Sequence, residues 1–257
     1  MKNLYKYGKY KTSFDSIEID ITYRCDLRCL NCDRSCRQAP SEDDMEVEQI
    51  ERFIEESERK DHRWKRIRVM GGEPILHPEI ADILDLLSDY HQRNPDATLE
   101  FYTNGYGPDK RSRLEIIPAD FVIKNTHKNG VINRKFEPFN LAPVDISDGD
   151  HESDYEQGCW ITKDCGLGFN RHGYYQCAVA AGIDRVFGYD LGLKSLPEGD
   201  DSLSKLKSKL CGLCGHFLNR VYVETDQRKQ VWGEPMSESW KQTYENYERK
   251  KPTLSLY

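Results

Sequence analysis

Nine cysteines in two groups are the residues of this sequence whose type and spacing could support chemistry. The first group is Cys25, Cys29, Cys32 and Cys36, and the second is Cys159, Cys165, Cys177, Cys211 and Cys214. Disulfides do not persist in a reducing compartment, so clustered cysteines there indicate metal binding or catalysis. A single free cysteine is more often a small buried hydrophobic residue. Four within twelve residues, among Arg and Asp, are not explained in that way.

The first group places three thiols close together, at spacings of four and three residues. Thiolates are soft ligands that suit iron–sulfur clusters or zinc. A structural zinc site takes four ligands, commonly as two close pairs, so three close thiols with only Cys36 as a possible fourth fit zinc poorly. A 4Fe–4S cluster held by Cys25, Cys29 and Cys32 would keep one iron open, which a catalytic cluster requires.

The second group leaves more than one interpretation open. Cys211 and Cys214 form a Cys-x2-Cys pair, and the segment 170–173 is predicted to be a hairpin turn that presents Cys177. On spacing alone, a structural zinc site and an iron–sulfur cluster are supported about equally. His172 and His216 flank these cysteines and are candidate hydrogen-bond donors to the ligands of a metal site.

Strands that alternate with helices are predicted to position these residues. Ile17, Ile19 and Ile21 alternate with acidic residues, which predicts a strand that ends just before Cys25. Further strands are predicted over 67–69, 99–103 and 121–123. Helices are predicted over 41–60, with Ser41 as N-cap, and from about residue 78 onward.

This order predicts an α/β fold with a mainly parallel sheet. Four strand–helix units are too few for a closed eight-fold barrel, so we expect a partial βα barrel. We divide the chain into an irregular or loosely attached lead-in over 1–15, a core over 16–150, and a small Cys-rich extension over 151–257. That extension is predicted to contain a β-hairpin and helix, a strand over 221–223 and a tail that forms a surface helix.

Composition and charge exclude several classes of function. A formal net charge of −7 argues against a general nucleic-acid or anionic-membrane surface, which would need an excess of basic residues. No apolar run reaches the roughly 18 residues of a membrane span, and the first residues lack the apolar stretch of a signal peptide. We therefore expect a soluble cytoplasmic protein without nucleic-acid or membrane partners.

The motifs resemble those of the radical S-adenosylmethionine (SAM) superfamily. Its signature Cys-x3-Cys-x2-Cys loop after the first strand corresponds to Cys25, Cys29 and Cys32. The segment 70–74, Met-Gly-Gly-Glu-Pro, stands where the family has a Gly-Gly-Glu-Pro turn after the second strand, and 102–105, Tyr-Thr-Asn-Gly, ends the next strand. Glycines in such a turn would give a ligand room to approach the backbone. One departure is Asn31, at a position where many members have an aromatic residue.

The resemblance implies a catalytic 4Fe–4S cluster on the three cysteines, with SAM bound to its open iron. The residues that it assigns to SAM binding are Gly71, Gly72, Glu73, Pro74, Thr103 and Asn104. A reduced cluster would cleave SAM to methionine and a 5′-deoxyadenosyl radical, which abstracts a hydrogen atom from the substrate. The protein would position the substrate and exclude water. A flavodoxin- or ferredoxin-type protein is the expected electron donor.

The late cysteines resemble a Twitch module, a shortened relative of the SPASM extension that follows some radical SAM cores. This resemblance implies one auxiliary 4Fe–4S cluster, with Cys165 as a possible alternative ligand. The four matching positions are Cys159, Cys177, Cys211 and Cys214.

Three functions follow from these resemblances. We expect first a radical SAM oxidoreductase or epimerase that acts on a small sugar or aminocyclitol, with the auxiliary cluster as electron acceptor. No catalytic side chain is identified, but epimerisation needs a hydrogen-atom donor, and Cys36 and Cys165 are speculative candidates. The second hypothesis is a peptide-modifying maturase that forms a cross-link or an epimer, and the third is a non-catalytic iron–sulfur or zinc protein.

Overall fold

The computed structural model describes residues 10–107, 109–135, 137, 139–146, 154–217 and 228–257. Its six strands are β1 (Ser16–Thr22), β2 (Arg66–Gly71), β3 (Thr98–Thr103), β4 (Phe121–Asn125), β5 (Leu167–Asn170) and β6 (Gly173–Tyr175). They form one open sheet in the order β4-β3-β2-β1-β5-β6. Only β6 runs antiparallel to its neighbour. The predicted α/β class with a mainly parallel sheet is therefore confirmed.

Two helices cover the apolar face of the sheet: α1 (Val47–Arg59) and α2 (Ile80–Arg93). Helix α1 begins later than predicted, and Ser41 is not its N-cap. The Ser41 hydroxyl instead donates to the Asp43 carboxylate in an extended segment before the helix. A capping box between Glu46 and Gln49 begins α1, so the helix is capped by a glutamate, which is not among the residues preferred at this position.

Both faces of β1 are buried along all seven residues. Its three isoleucines pack into the core with α1 and α2. The alternating acidic residues face the other side of the sheet, where they are buried with arginines. The alternation in β1 therefore separates an apolar core from a buried charged face, and not a core from solvent. The ion-paired residues on this charged face are Glu18, Asp20, Arg34, Arg68 and Glu100.

The late part of the chain continues the same sheet, because β5 pairs with β1 on the side opposite β2. The turn between β5 and β6 forms at the predicted hairpin. The remaining helices are α3 (Lys110–Arg113), α4 (Trp160–Asp164), α5 (Ala178–Phe187), α6 (Ser204–Leu210) and α7 (Glu238–Arg249). A boundary near residue 150 stays a prediction, since 147–153 lie outside the described residues.

Helix α7 forms in the tail, but it is not only a surface helix. Trp240, Tyr244 and Tyr247 are buried in a second core, together with α5 and the late cysteines. Aromatic residues at spacings of four and three on a mostly charged helix supply this buried face. The expectation of a surface helix missed it because charged residues outnumber the aromatic ones.

The described end of the lead-in, from Tyr10 onward, is attached to the late part of the chain. The backbone N–H of Ser13 donates to the Thr162 carbonyl at 2.9 Å, and the Thr12 hydroxyl donates to Asp200 at 2.6 Å. Residues 1–9 and the predicted strand at 221–223 lie outside the described residues. Among the described helices, none is long and apolar enough to cross a membrane.

Candidate active site

The loop after β1 carries the first cysteine group into a cavity of about 150 Å³. Cys25, Cys29 and Cys32 line this first cavity, and Cys36 lines it as well. Residues that end β2 and follow β3 complete the wall, as expected where the carboxyl ends of parallel strands meet. They include four of the six positions that the sequence assigned to cofactor binding: Gly71, Gly72, Thr103 and Asn104.

The other two assigned positions, Glu73 and Pro74, lie directly behind this wall and are buried. The Glu73 carboxylate accepts hydrogen bonds from the Thr103 hydroxyl at 2.8 Å and from the backbone N–H of Asn104 at 2.7 Å. The Asn104 amide donates in turn to Asp26 in the cysteine loop, at 2.9 Å. This chain of hydrogen bonds ties the ends of two strands to the cysteine loop.

Glycine is needed at positions 71 and 72 for a reason other than the expected one, which was to leave space for a ligand. A Cβ at either position would collide with the backbone of the first strand's end, at the carbonyl oxygens of Thr22 and Arg24. The same backbones are hydrogen-bonded, since the N–H of Gly72 donates to the Thr22 carbonyl at 2.8 Å. Gly71 also has a φ of +139°, which favours glycine. The glycines therefore let two loops pack closely beside the cavity.

The thiols of the first cavity fit a metal cluster by their chemistry. Burial raises the pKa of Cys25 to about 12 and also raises the pKa of Cys29. A hydrogen bond from Cys36 lowers the pKa of Cys32. Metal coordination removes the protons from such thiols and compensates the thiolate charge, so buried thiols facing one cavity suit a cationic cluster.

A second cavity is lined by Cys159, Cys177, Cys211 and Cys214, each of them buried. Local structure positions them: Cys159 and Cys177 are the N-cap residues of α4 and α5, and Cys211 begins a 3₁₀ turn. Burial raises the pKa of Cys211 to about 12. The rest of the wall is mostly apolar and includes Ile161, Val179, Ala180, Ile183, Leu210 and Phe217.

Metal binding in the second cavity is indicated by the chemistry of its four thiols. It is not indicated by a preformed site for a single metal ion. Among the residues that the structure describes, no three His, Cys, Asp or Glu side chains form a group that could hold a single metal ion. Burial also holds the pKa values of Cys177 and Cys214 well above their usual range. Four buried thiols in an apolar wall would suit the same soft, cationic kind of cluster as the first cavity.

A third cavity, of about 160 Å³, lies between the two cysteine cavities. It shares Asp33, Arg34 and Met70 with the wall of the first cavity and Ile161 and Val179 with the wall of the second. Its other lining residues are Glu18, Asn31, Glu137, Trp160, Cys165, His216 and Arg228.

The structure separates Cys165 from the four cysteines of the second cavity, because Cys165 lines the third cavity. The two flanking histidines also separate. His216 lines the third cavity, where its Nδ1 lies 3.0 Å from the Glu137 carboxylate. His172 instead has its Nδ1 3.2 Å from the carbonyl oxygen of Ser255, near the end of the chain.

Two residues that the sequence did not identify, Asn133 and Glu234, contact the cysteine loop. The Asn133 amide donates to the Cys29 sulfur at 3.5 Å, and its carbonyl accepts from the N–H of Leu30. Glu234 accepts from the backbone N–H of Asn31 at 2.8 Å. Both residues lie in irregular segments far along the chain, where neither periodicity nor a motif indicates a contact with residues 25–36.

Comparison with known proteins finds one family that matches part of the chain. Residues 19–119 match the family model described as the radical SAM superfamily. The match covers less than half of the chain, so it identifies a radical SAM domain within it. The matched segment holds the cysteine loop, the Gly-Gly-Glu-Pro turn and the Tyr-Thr-Asn-Gly strand end, and the radical SAM family implies SAM and a 4Fe–4S cluster.

Curated relatives match a part of the chain that is about as long as this domain. The GTP 3′,8-cyclase of Nautilia profundicola is 32% identical over 100 residues, which are 38% of this chain and 30% of that protein. The enzyme of the same description from Aliarcobacter butzleri is 31% identical over 94 residues, 36% of this chain and 28% of that protein. The chain therefore spans less than a third of the length of these relatives.

One solved structure is similar over most of the chain. It is described as BtrN in complex with AdoMet and 2-DOIA, and it is 17% identical with a TM-score of 0.50. The similarity covers 85% of this chain and 98% of that one. It extends the shared fold beyond the radical SAM domain and into the segment that holds the late cysteines.

Proposed function

We propose that this protein is a radical SAM oxidoreductase or epimerase that acts on a small sugar-like or aminocyclitol-like metabolite. Cys25, Cys29 and Cys32 would hold the catalytic 4Fe–4S cluster. Cys159, Cys177, Cys211 and Cys214 would hold an auxiliary 4Fe–4S cluster in a Twitch-type module. The reaction would take place in the cytoplasm, with electrons from a flavodoxin- or ferredoxin-type protein.

The observation that carries this proposal is the third cavity between the two cysteine cavities. A substrate there would lie beside residues that also line each cysteine cavity. Hydrogen removal on one side and electron uptake on the other are the two requirements for oxidising an alcohol by a radical route. When bound, SAM and the two clusters would supply the hydrogen-abstracting radical and the electron acceptor.

The chain's own residues would bind the substrate and handle protons. Glu73, held by Thr103 and Asn104, orders the wall of the first cavity where SAM would bind. An alcohol that becomes a ketone loses one hydrogen atom, one electron and the hydroxyl proton. His216 and Glu137, paired in the wall of the third cavity, are placed to accept that proton.

Oxidation and epimerisation differ in the fate of the substrate after hydrogen removal. Epimerisation returns a hydrogen atom to the same carbon, and the Cys165 thiol, which lines the third cavity, would supply it. The thiyl radical left on Cys165 would then take up one proton and one electron, which the flavodoxin- or ferredoxin-type donor would supply, to become a thiol again. Burial and the neighbouring Glu18 carboxylate hold its pKa well above the usual range, so it keeps its hydrogen. Cys36 lines the first cavity instead and is the weaker candidate for this role.

GTP cyclisation is a second candidate, because the curated relatives have that activity in their names. A cavity of about 160 Å³ is close to the roughly 150 Å³ that holds one benzene ring, and a nucleoside triphosphate is several times larger. The third cavity therefore favours the small substrate. A peptide substrate would need the same cavity to admit a single side chain.

The experiment that tests the proposal is an anaerobic iron and sulfide determination combined with a SAM cleavage assay. The wild-type protein should hold about eight irons, and the triple variant Cys25→Ala/Cys29→Ala/Cys32→Ala should keep about four, as two 4Fe–4S clusters require. The triple variant should form no 5′-deoxyadenosine with dithionite as reductant. Mass spectrometry of candidate sugars and aminocyclitols then separates a ketone, which is lighter by two hydrogens, from an epimer of unchanged mass.

Two results would contradict parts of this proposal. If the triple variant holds no iron, the late cysteines do not bind an auxiliary cluster, and they are free thiols or a zinc site. If the wild-type protein holds its irons but never cleaves SAM, the protein is not a radical SAM catalyst, and an iron–sulfur binding role becomes the better hypothesis.

A further inference from the structure

A groove of about 710 Å³ lies on the segment that follows β4, and we call it the basic groove. Residues 126–135 form most of its wall. No acidic side chain is among the described residues that line it, and the whole chain has a formal net charge of −7. Charge of one sign gathered on a protein of the other sign attracts a partner of the protein's own sign, here an anionic one. The basic side chains of the groove are His127, Lys128, Arg134 and Lys135.

The basic groove lies directly beside the cysteine loop. Its lining residue Asn133 accepts at its carbonyl from the backbone N–H of Leu30, at 2.9 Å, and its amide donates to the Cys29 sulfur at 3.5 Å. Thr126 and Lys128 line both the basic groove and the first cavity. A single layer of residues therefore separates the groove from the proposed catalytic cluster.

Exposed apolar side chains accompany these charges. Trp232 is 81% exposed, and Ile132, which lines the groove, is 48% exposed. The Arg134 guanidinium lies 5.2 Å from the centre of the Trp232 ring, and the Arg134 carbonyl accepts from the backbone N–H of Val231. Tryptophan and arginine are the residues that most often carry the binding energy of protein interfaces. An exposed tryptophan beside a basic groove therefore favours a protein partner over a small anion.

We propose that the basic groove and Trp232 form the docking surface for an acidic electron-carrier protein of the flavodoxin or ferredoxin type. The basic side chains would pair with carboxylates of the carrier, and Trp232 would pack against its surface. The carrier would lose one electron and the catalytic cluster would gain it, and no covalent bond would form or break. Electron transfer slows steeply with distance, so a surface one layer from Cys29 suits this role. This inference rests on the proposed function and deepens it, since it names the surface that receives the electron.

The test compares three reductants in an anaerobic assay of 5′-deoxyadenosine formation by the reconstituted protein. They are dithionite, a bacterial flavodoxin and a bacterial ferredoxin, with each carrier kept reduced by NADPH and its reductase. At least one carrier should support SAM cleavage by the wild-type protein. The quantity measured is the KM for that carrier, at low ionic strength and in about 0.5 M NaCl.

Two variants of the surface should raise this KM in different ways. Lys135→Glu reverses an exposed charge, so the KM should rise about 5- to 10-fold at low ionic strength and much less in high salt. Trp232→Ala removes an apolar contact, so the KM should rise about fivefold at both salt concentrations. The rate with dithionite should stay within about twofold of wild type, because neither residue lines a cysteine cavity.

The matched control is Lys205→Glu. Lys205 is also exposed, and it lies on α6, which packs into the second core and does not line the basic groove. This variant makes the same change in net charge at another place, so its KM for the carrier should stay within about twofold of the wild-type value.

Three results would overturn the proposal. Neither carrier may support SAM cleavage while dithionite does. Lys135→Glu may leave the KM unchanged, which would assign the groove to another anionic ligand. Lys205→Glu may raise the KM as much as Lys135→Glu does, which would make net charge the cause. Each of these results leaves the proposed function standing, because dithionite still drives SAM cleavage. Failure with dithionite as well would count against the proposed function itself.

Discussion

The two cysteine cavities use the same ligand chemistry in opposite surroundings. In the first, Cys25 and Cys32 are partly exposed, and the wall includes backbone at Gly71 and Gly72 and polar side chains that end β3. In the second, all four cysteines are buried, and the wall is almost entirely apolar. A site that exchanges a small ligand needs access and polar contacts, whereas a site that only stores an electron gains from being closed.

The third cavity lies between these two contrasting cavities. The charged face of the sheet, with Arg34 at its centre, forms part of the wall between the two cysteine cavities. One arginine pairs there with three carboxylates, those of Glu18, Asp20 and Asp33. We call the first cavity the open site and the second cavity the closed site. A substrate at this position would meet polar groups on the side of the open site and apolar groups on the side of the closed site.

The largest expected effect comes from removing one ligand of the closed site. Cys177→Ala should lower the iron content from about eight to about four per protein, because three thiols in a closed apolar wall leave one iron without a ligand. SAM cleavage at the open site should continue. Iron and sulfide determination with a 5′-deoxyadenosine assay measures both.

Cys165→Ala is the matched control for Cys177→Ala, because Cys165 lines the third cavity and not the second. Its iron content should stay at the wild-type value. If Cys165→Ala loses about four irons and Cys177→Ala does not, the ligand set of the closed site is different from the one proposed, and the geometric separation of Cys165 is not functional.

A smaller effect is expected on the pH dependence of stability, and it comes from the charged face between the sites. Burial raises the pKa of Asp20 to about 7, and this outweighs the opposing effect of Arg34. An unfolded aspartate titrates near 3.9, so between that pH and about 7 the folded state binds one proton more than the unfolded state. The stability should therefore fall as the pH rises through this range, by at most about 1.4 kcal/mol per pH unit.

Melting temperature against pH, measured anaerobically on the reconstituted protein, checks the Asp20 prediction. Asp20→Asn cannot titrate and should flatten the decline. Glu18→Gln removes a negative charge that raises the pKa of Asp20, so it should move the decline to lower pH. An unchanged profile in Asp20→Asn would mean that other groups cause the pH dependence.

The open site could be predicted from the sequence because its parts are short motifs at strand ends. The three cysteines, Glu73 and Asn104 each follow a strand that the sequence pattern identifies, and parallel strands bring their ends together. The pairing of β5 with β1 could not be read in this way, because about 145 residues separate the two strands and no local pattern specifies a long-range partner.

Asn133 and Glu234 show a second limit of the sequence. Asn133 reaches Cys29, and Glu234 reaches the backbone of Asn31, each from an irregular segment far along the chain. Neither fact follows from residue type and spacing. The motifs at the strand ends could therefore be predicted from the sequence. The long-range contacts to the cysteine loop could be recognised only in the folded structure.

The smallest expected effect concerns a hydrogen bond that both cysteine sites receive from an amide side chain. The Asn133 amide donates to the Cys29 sulfur at 3.5 Å, and the Gln176 amide donates to the Cys211 sulfur at 3.6 Å. A hydrogen bond to a ligand sulfur stabilises the reduced cluster, which carries more negative charge. Asn133→Leu and Gln176→Leu should therefore each lower one midpoint potential, by about 40 mV if each bond contributes about 1 kcal/mol.

Potentiometric titration followed by electron paramagnetic resonance would separate the signals of the two proposed clusters, and each variant is the control for the other. Asn133→Leu should shift only the signal that SAM perturbs, because Cys29 lines the cavity of the open site. Gln176→Leu should shift only the signal that SAM leaves unchanged, since Gln176 lines the closed cavity. If either substitution moves both potentials, the cavities are not independent sites. If neither moves any potential, the amides position the cysteines without adjusting the clusters, and the contrast between the sites then rests on access and wall polarity alone.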